Sequence, residues 1–162
     1  MNRRFAVHLE KEQLIFSAAH FITFGENVCE RLHGHNYRVA CEVVGPLNVQ
    51  GYVIDFIALR DELARLVGKL DHHVLLPTLH PAIQVQSLNN EVVATFEDRR
   101  WVFPEEDCCL LPVDNTTAEK LAEHLGNQLW PLVQSQVPLV EQMIVSVDEN
   151  EGQWGRCIFT SE

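Results

Sequence analysis

His33-Gly34-His35 sets two imidazoles two positions apart, and His20 lies thirteen residues before the pair. On a strand, residues i and i+2 project to the same face, so His33 and His35 can share one ligand. Three imidazoles leave a fourth tetrahedral position open, the arrangement of a catalytic zinc site. The pair alone is weak evidence, because two ordinary, partly exposed histidines read the same way. Chain length and flanks exclude some zinc enzymes that use the same pair. Amidohydrolase barrels need roughly 250 residues, and this chain has 162. Metallo-β-lactamase-type hydrolases carry Asp-His soon after the pair, where this chain has Asn36-Tyr37.

Other residues have chemical potential. Asp71-His72 places a carboxylate beside an imidazole, which can fix its tautomer and raise its basicity. Sequence neighbours meet this way in a turn, not in a regular strand. A helix C-terminus that attracts histidines is an equally good account of Asp71-His72-His73. Cys29 by itself reads as a small buried hydrophobe. Glu149 follows Met143, Val145 and Val147 on one strand face, and a carboxylate on an apolar face needs a partner.

The elements that position these groups follow from periodicity. Phe5 to Phe16 is strand-like, and Asn36 to Val44 is a strand with β-branched content, ended by Gly45-Pro46. Asp55 caps a helix whose Leu59, Leu63, Leu66, Val67 and Leu70 form one face. Thr116-Thr117-Ala118-Glu119 fits a capping box for a second helix, with Pro131 near its end. Met143 to Glu149 and Gly155 to Phe159 form an antiparallel pair. Between the helices, Val92 to Phe96 and Trp101 to Phe103 make a hairpin inside a longer segment, about 75–113. Strands surrounding two helices predict an α+β fold in a single domain, 1–162.

Bulk properties narrow the class further. A net charge of -11 argues against a generic nucleic-acid surface. No apolar run reaches the roughly 20 residues of a membrane span, and no signal-length stretch opens the chain. Five cysteines in no regular framework suit a reducing compartment. The expectation is a cytoplasmic protein without nucleic-acid or membrane partners.

Phe16-Ser17-Ala18-Ala19-His20 and Cys29-Glu30-Arg31-Leu32-His33-Gly34-His35-Asn36-Tyr37 closely resemble the 6-pyruvoyl-tetrahydropterin synthase family. Leu70-Asp71-His72, Asn115-Thr116-Thr117-Ala118-Glu119 and Val145-Ser146-Val147-Asp148-Glu149 match it in order. The resemblance spans the chain except the 75–113 insertion. It implies a T-fold, a four-stranded antiparallel sheet with two helices on one face, here with an inserted hairpin. It also implies assembly into trimers or hexamers with sites between subunits. By the same resemblance His20, His33 and His35 bind zinc, Cys29 is the general base, and Asp71 with His72 relays protons from a neighbouring subunit. Glu149 anchors the pterin, whose amino and ring N–H groups suit a carboxylate. Thr116, Thr117 and Glu119 lie near the pterin.

The implied small-molecule substrate is 7,8-dihydroneopterin triphosphate. Three products compete: 6-carboxy-5,6,7,8-tetrahydropterin for 7-deazaguanine and queuosine, 6-hydroxymethyl-7,8-dihydropterin for folate, and 6-pyruvoyl-tetrahydropterin. The three-residue gap between Cys29 and His33 disfavours the last. The carboxy product is the leading expectation. Glu30 beside Cys29 resembles members linked to folate synthesis, in which a glutamate acts as acid or base. A non-catalytic pterin-binding oligomer is the reading from another class, and Cys29, Asp71 and His72 argue against it.

Overall fold

The computed structural model describes residues 3–25 and 28–161; the first two residues and the last of the expected 1–162 domain lie outside them. In chain order, the first strands are β1 (Phe5–His20), β2 (Thr23–Phe24), β3 (Val28–Cys29) and β4 (His33–Gly45). Helix α1 (Phe56–Gly68) precedes β5 (His73–Pro77), β6 (Gln84–Leu88), β7 (Glu91–Phe96), β8 (Arg99–Pro104) and β9 (Cys108–Leu111). The chain closes with α2 (Ala118–Gln136), β10 (Gln142–Asp148) and β11 (Trp154–Thr160).

The architecture is α+β, with both helices packed on one core. Asp55 caps α1 by accepting the Ile57 N–H at 2.8 Å, and Leu59, Leu63, Leu66 and Val67 are buried on one helical face. Burial of each such side chain stabilises by about 1.5–3 kcal/mol. On α2, Leu121, Ala122, Leu125, Leu129 and Val133 join the same cluster. A close approach fixes the start of α2. A Cβ on Gly155 of β11 would stand 2.5 Å from the Glu119 backbone nitrogen, so glycine lets strand and helix touch there. Pro131 lies inside α2, which runs on to Gln136.

The main sheet differs from the expected four antiparallel strands. It has six, in the order β11-β10-β4-β1-β5-β9. The first four are mutually antiparallel, and β5 and β9 extend them in parallel. The inserted segment is also larger than a hairpin. β6, β7 and β8 form an antiparallel sheet of three strands, and β9 returns to the main sheet. Phe21, Leu76, Ile83, Val92, Ala94 and Phe96 bury a second core between the insertion and the end of β1.

An irregularity in β1 sets up the site. Leu9 pairs with Cys41 and Phe16 with Tyr37, with a register shift between Glu10 and Ile15. A shift of this kind changes which residues face the core. Leu9 is buried before it, Leu14 within it, and Phe16, Ala18 and His20 after it. His20 thereby joins the core face.

Candidate active site

The apolar core face turns into imidazole at one end of the β1–β4 ladder. Along β4, Tyr37, Val39, Cys41 and Val43 are buried, and His35 and His33 continue that alternation. The register sets His20 opposite His33 and Ala18 opposite His35, so His20 and His35 are diagonal neighbours. The ring centroids lie 4.8 Å apart for His20 and His33, 5.3 Å for His20 and His35, and 4.9 Å for His33 and His35. Phe16 stacks on Tyr37 at 4.7 Å and floors the cluster.

Outer hydrogen bonds aim the rings. His20 Nδ1 lies 2.9 Å from the Thr116 carbonyl oxygen, and His33 Nδ1 lies 2.8 Å from the Arg31 carbonyl oxygen. A carbonyl only accepts, so each Nδ1 carries the hydrogen, and in the neutral ring each Nε2 then presents a lone pair. The Nε2 atoms of His20 and His35 are buried without a hydrogen-bond partner among the described residues. Glu149 Oε1 lies 3.2 Å from His20 Nε2 and 3.0 Å from His35 Nε2, close in distance but without hydrogen-bond geometry. Nitrogen lone pairs and a carboxylate oxygen repel one another unless a cation lies between them. Burial lowers the His35 pKa despite the nearby Glu149 carboxylate. A proton on His20 Nε2 shared with Glu149 holds that carboxyl below the usual range, and a cation in the proton's place would act in the same direction. Neutral imidazole and ionised carboxylate are the metal-binding forms. Ligand atoms of His20, His33, His35 and Glu149 all lie within 4.8 Å of one another, so the donor set fits a metal site.

Glu149 was expected on the strand. It follows Asp148, the last residue of β10, in the turn where its N–H meets the Gln153 carbonyl oxygen. Its side chain still reaches the cluster. Thr116 was expected as a helix cap paired with Glu119. The cap is instead Thr117, whose hydroxyl accepts the Lys120 N–H at 3.4 Å. Thr116 is fully buried and supplies the carbonyl that orients His20. Glu119 is exposed on the first turn of α2.

Cys29 and Glu30 stand at the rim. Glu30 Oε2 lies 3.7 Å from His33 Nε2. Burial pushes the Cys29 thiol up, against the pull of the Arg99 cation, and Glu30 adds to the rise. Asp71 and His72 lie elsewhere. Asp71 accepts the Ser17 N–H at 2.8 Å, and the Ser17 carbonyl accepts the His72 N–H at 2.7 Å. His72 adopts φ 61° in this turn, and its Nδ1 lies 2.9 Å from Asp71 Oδ2. The Ser17 N–H holds the Asp71 carboxyl below its ordinary value. Ser17 alternates with the buried residues of β1, and its hydroxyl bonds Asn36 beside His35. The carboxylate–imidazole pair is thus tied to the backbone of β1 at Ser17, with His72 82% exposed. A cavity of about 530 Å³ is lined by Ser17, His35, Asn36, His72 and His73 among others. His73 begins β5, with Nδ1 2.7 Å from the Asp71 carbonyl oxygen.

The family model for 6-pyruvoyl tetrahydropterin synthase matches residues 9–158. The chain belongs to that family. A Methanocaldococcus jannaschii protein provisionally named 6-carboxy-5,6,7,8-tetrahydropterin synthase is 32% identical over 149 residues, covering 89% of this chain and 88% of its own. The solved Plasmodium falciparum 6-pyruvoyl tetrahydropterin synthase superposes with a TM-score of 0.90 at 31% identity, covering 99% of this chain and 100% of that one. Plasmodium vivax variants, in which a glutamate described as catalytic is replaced by alanine or cysteine, superpose with TM-scores of 0.89 and 0.90. Each is 30% identical and covers 99% of this chain and 100% of its own. As a member of this synthase family the chain is a lyase acting on a small pterin. No helix among the described residues is long and apolar enough to cross a membrane.

One feature of this synthase had no signature in the sequence. Arg99, from the insertion, donates from Nη1 to the Cys29 carbonyl at 2.6 Å and from Nη2 to the Glu30 carbonyl at 2.8 Å.

Proposed function

We propose that the protein is a zinc-dependent 6-carboxy-5,6,7,8-tetrahydropterin synthase of the 7-deazaguanine and queuosine route, acting on 7,8-dihydroneopterin triphosphate. The observation that carries this reading is the convergence of three imidazoles, two of them aimed by outer Nδ1 bonds to backbone carbonyls, in a chain whose relative bears that name. His20, His33 and His35 would hold zinc. When bound, the metal supplies Lewis-acid stabilisation to side-chain oxygens of the substrate.

The chain's own residues do the rest. Cys29 takes the proton from a side-chain carbon and so starts elimination of triphosphate. Glu149 holds the pterin amino group and ring N–H, which leaves three imidazoles and an open position at the metal. Thr116 and Thr117 shape the pterin side of the site, and Glu119 is the weakest candidate there. By the family resemblance Asp71 and His72, with His72 exposed at the surface, serve a neighbouring protomer. That requires a homo-oligomer, a trimer or hexamer. The free thiols suit a cytoplasmic protein.

A second reading has its own support. Glu30 at 3.7 Å from His33 suits formation of 6-hydroxymethyl-7,8-dihydropterin for folate, and the Plasmodium vivax neighbour has a catalytic glutamate. Incubating the zinc-loaded protein with dihydroneopterin triphosphate and weighing the products by mass spectrometry separates the readings. The carboxy product is expected. Hydroxymethyl product alone selects the second reading, and release of neither rejects both.

Glu149 gives a further test. Glu149→Ala should weaken pterin binding by about 1.5–3 kcal/mol, as for a hydrogen bond to a charged group. Glu149→Gln should weaken it less, since one acceptor oxygen remains. Titration with a pterin, alongside zinc analysis, checks this. Lost zinc with unchanged pterin affinity would make Glu149 a fourth metal ligand instead.

A further inference from the structure

The inserted sheet is built against the rim of the site. Trp101 on β8 stacks on Phe21 at 4.4 Å and 17°, and Phe21 is buried directly after His20. The Arg99 guanidinium lies over the same Trp101 ring, 4.7 Å from its centroid. From that platform its fork reaches two successive carbonyls, those of Cys29 and Glu30. Guanidinium is planar and presents its donors in a fixed geometry, so two parallel bonds hold orientation as well as position.

Besides the packing of the half-buried Cys29 against the second core, the held segment has few ties among the described residues. β2 and β3 have two residues each, and a two-stranded pairing is marginal in water. Among the described residues, the Glu30 N–H bond to the Ile22 carbonyl is the remaining backbone tie. Two of the proposed proton-transferring side chains thus sit on a short segment whose carbonyls are gripped from an insertion 70 positions away.

We propose that Arg99 is a positioning residue: stacked on Trp101, it clamps the Cys29–Glu30 backbone so that thiol and carboxylate approach the substrate held at the histidine cluster. The insertion is then part of the catalytic apparatus. The catalytic part of this inference rests on the synthase reading above; the clamp itself does not. Misplacement of a reacting group by about 1 Å can cost up to 10²-fold in rate without weakening binding. Loss of the clamp should therefore appear in kcat and product ratio and spare KM. Lysine cannot reproduce the fork, so Arg99→Lys should fail nearly as badly as Arg99→Gln.

The test uses zinc-loaded full-length protein with Arg99→Gln, Arg99→Lys and, as a control, Arg100→Gln at the exposed neighbouring position. Expected for both Arg99 variants is a kcat at least roughly tenfold lower with KM within about twofold, and an altered product ratio. Hydrogen exchange at the Glu30 amide, measured without substrate, should be on the order of tenfold faster. Arg100→Gln should match wild type. Unchanged exchange and unchanged kcat in Arg99→Gln overturn the proposal. Arg99→Lys equal to wild type overturns the fork and leaves charge alone. Faster exchange in a protein whose wild type makes no pterin product would sink the synthase reading while the clamp stands. Should Arg99→Gln fail to fold, Trp101→Phe, which weakens the platform and keeps an aromatic ring, must show the same kcat loss at constant KM, or the proposal fails.

Discussion

His35→Ala should leave the protein unable to retain zinc and should reduce its synthase rate by more than about 10²-fold, since a Lewis acid contributes several kcal/mol of transition-state stabilisation. His33→Ala should lose zinc less completely. The difference follows from burial. His35 Nε2 is enclosed without a protein partner, whereas the His33 side chain is 36% exposed. Water can take the place of the His33 nitrogen more readily than that of a buried one. His20→Ala should be the most damaging, because His20 is fully buried and its ring is locked by Thr116. Metal analysis after dialysis against a weak chelator gives the order, and circular dichroism confirms the fold. Full zinc occupancy in both His33→Ala and His35→Ala would remove these residues from the metal site.

How this cluster could be read in advance, and where reading stopped, follows from what each residue contributes. His33 and His35 are legible because a strand has period two. Their alignment with His20 is not, because it depends on a register irregularity between Glu10 and Ile15, where no residue type announces a bulge. Thr116 was legible as a possible cap and, through the resemblance, as a residue near the pterin, but not as the partner of His20. Its function in the fold is carried by a backbone carbonyl, which every residue possesses. Arg99 was silent for the same reason, since both of its acceptors are main-chain oxygens. β5 and β9 escaped because short apolar runs such as Val74-Leu75-Leu76 have no period to display. Their parallel pairing joins segments more than thirty positions apart. The capping aspartate of α1 and the apolar faces of both helices were plain, because those signals are local and carried by side chains.

Cys29→Ala and Glu30→Ala should pull the product ratio in opposite directions. Removal of a proton from a side-chain carbon starts triphosphate loss and leads to the carboxy product. Removal of a proton from a side-chain hydroxyl, with return of a proton to carbon, cleaves the side chain and leaves the hydroxymethyl product. Two neighbouring groups of different chemistry at one rim can divide these tasks. Cys29→Ala should cost the carboxy product about 10²-fold or more, the usual cost of losing a general base, with zinc retained and any hydroxymethyl product kept. Glu30→Ala should suppress the hydroxymethyl product and leave the carboxy product largely intact. The pH dependence supplies an independent check. Burial holds the Cys29 thiol above its ordinary value, so only its thiolate fraction acts as the base and that fraction is small near neutrality. Raising pH increases the thiolate fraction, and the carboxy share should climb from neutrality upward and keep climbing beyond the ordinary thiol range. In Cys29→Ala that climb should vanish. Product ratios from wild type and both variants across this range decide the matter. A wild type that makes no hydroxymethyl product, or a ratio indifferent to Glu30→Ala, would leave Glu30 as a rim residue with no part in the chemistry and Cys29 as the one base acting there.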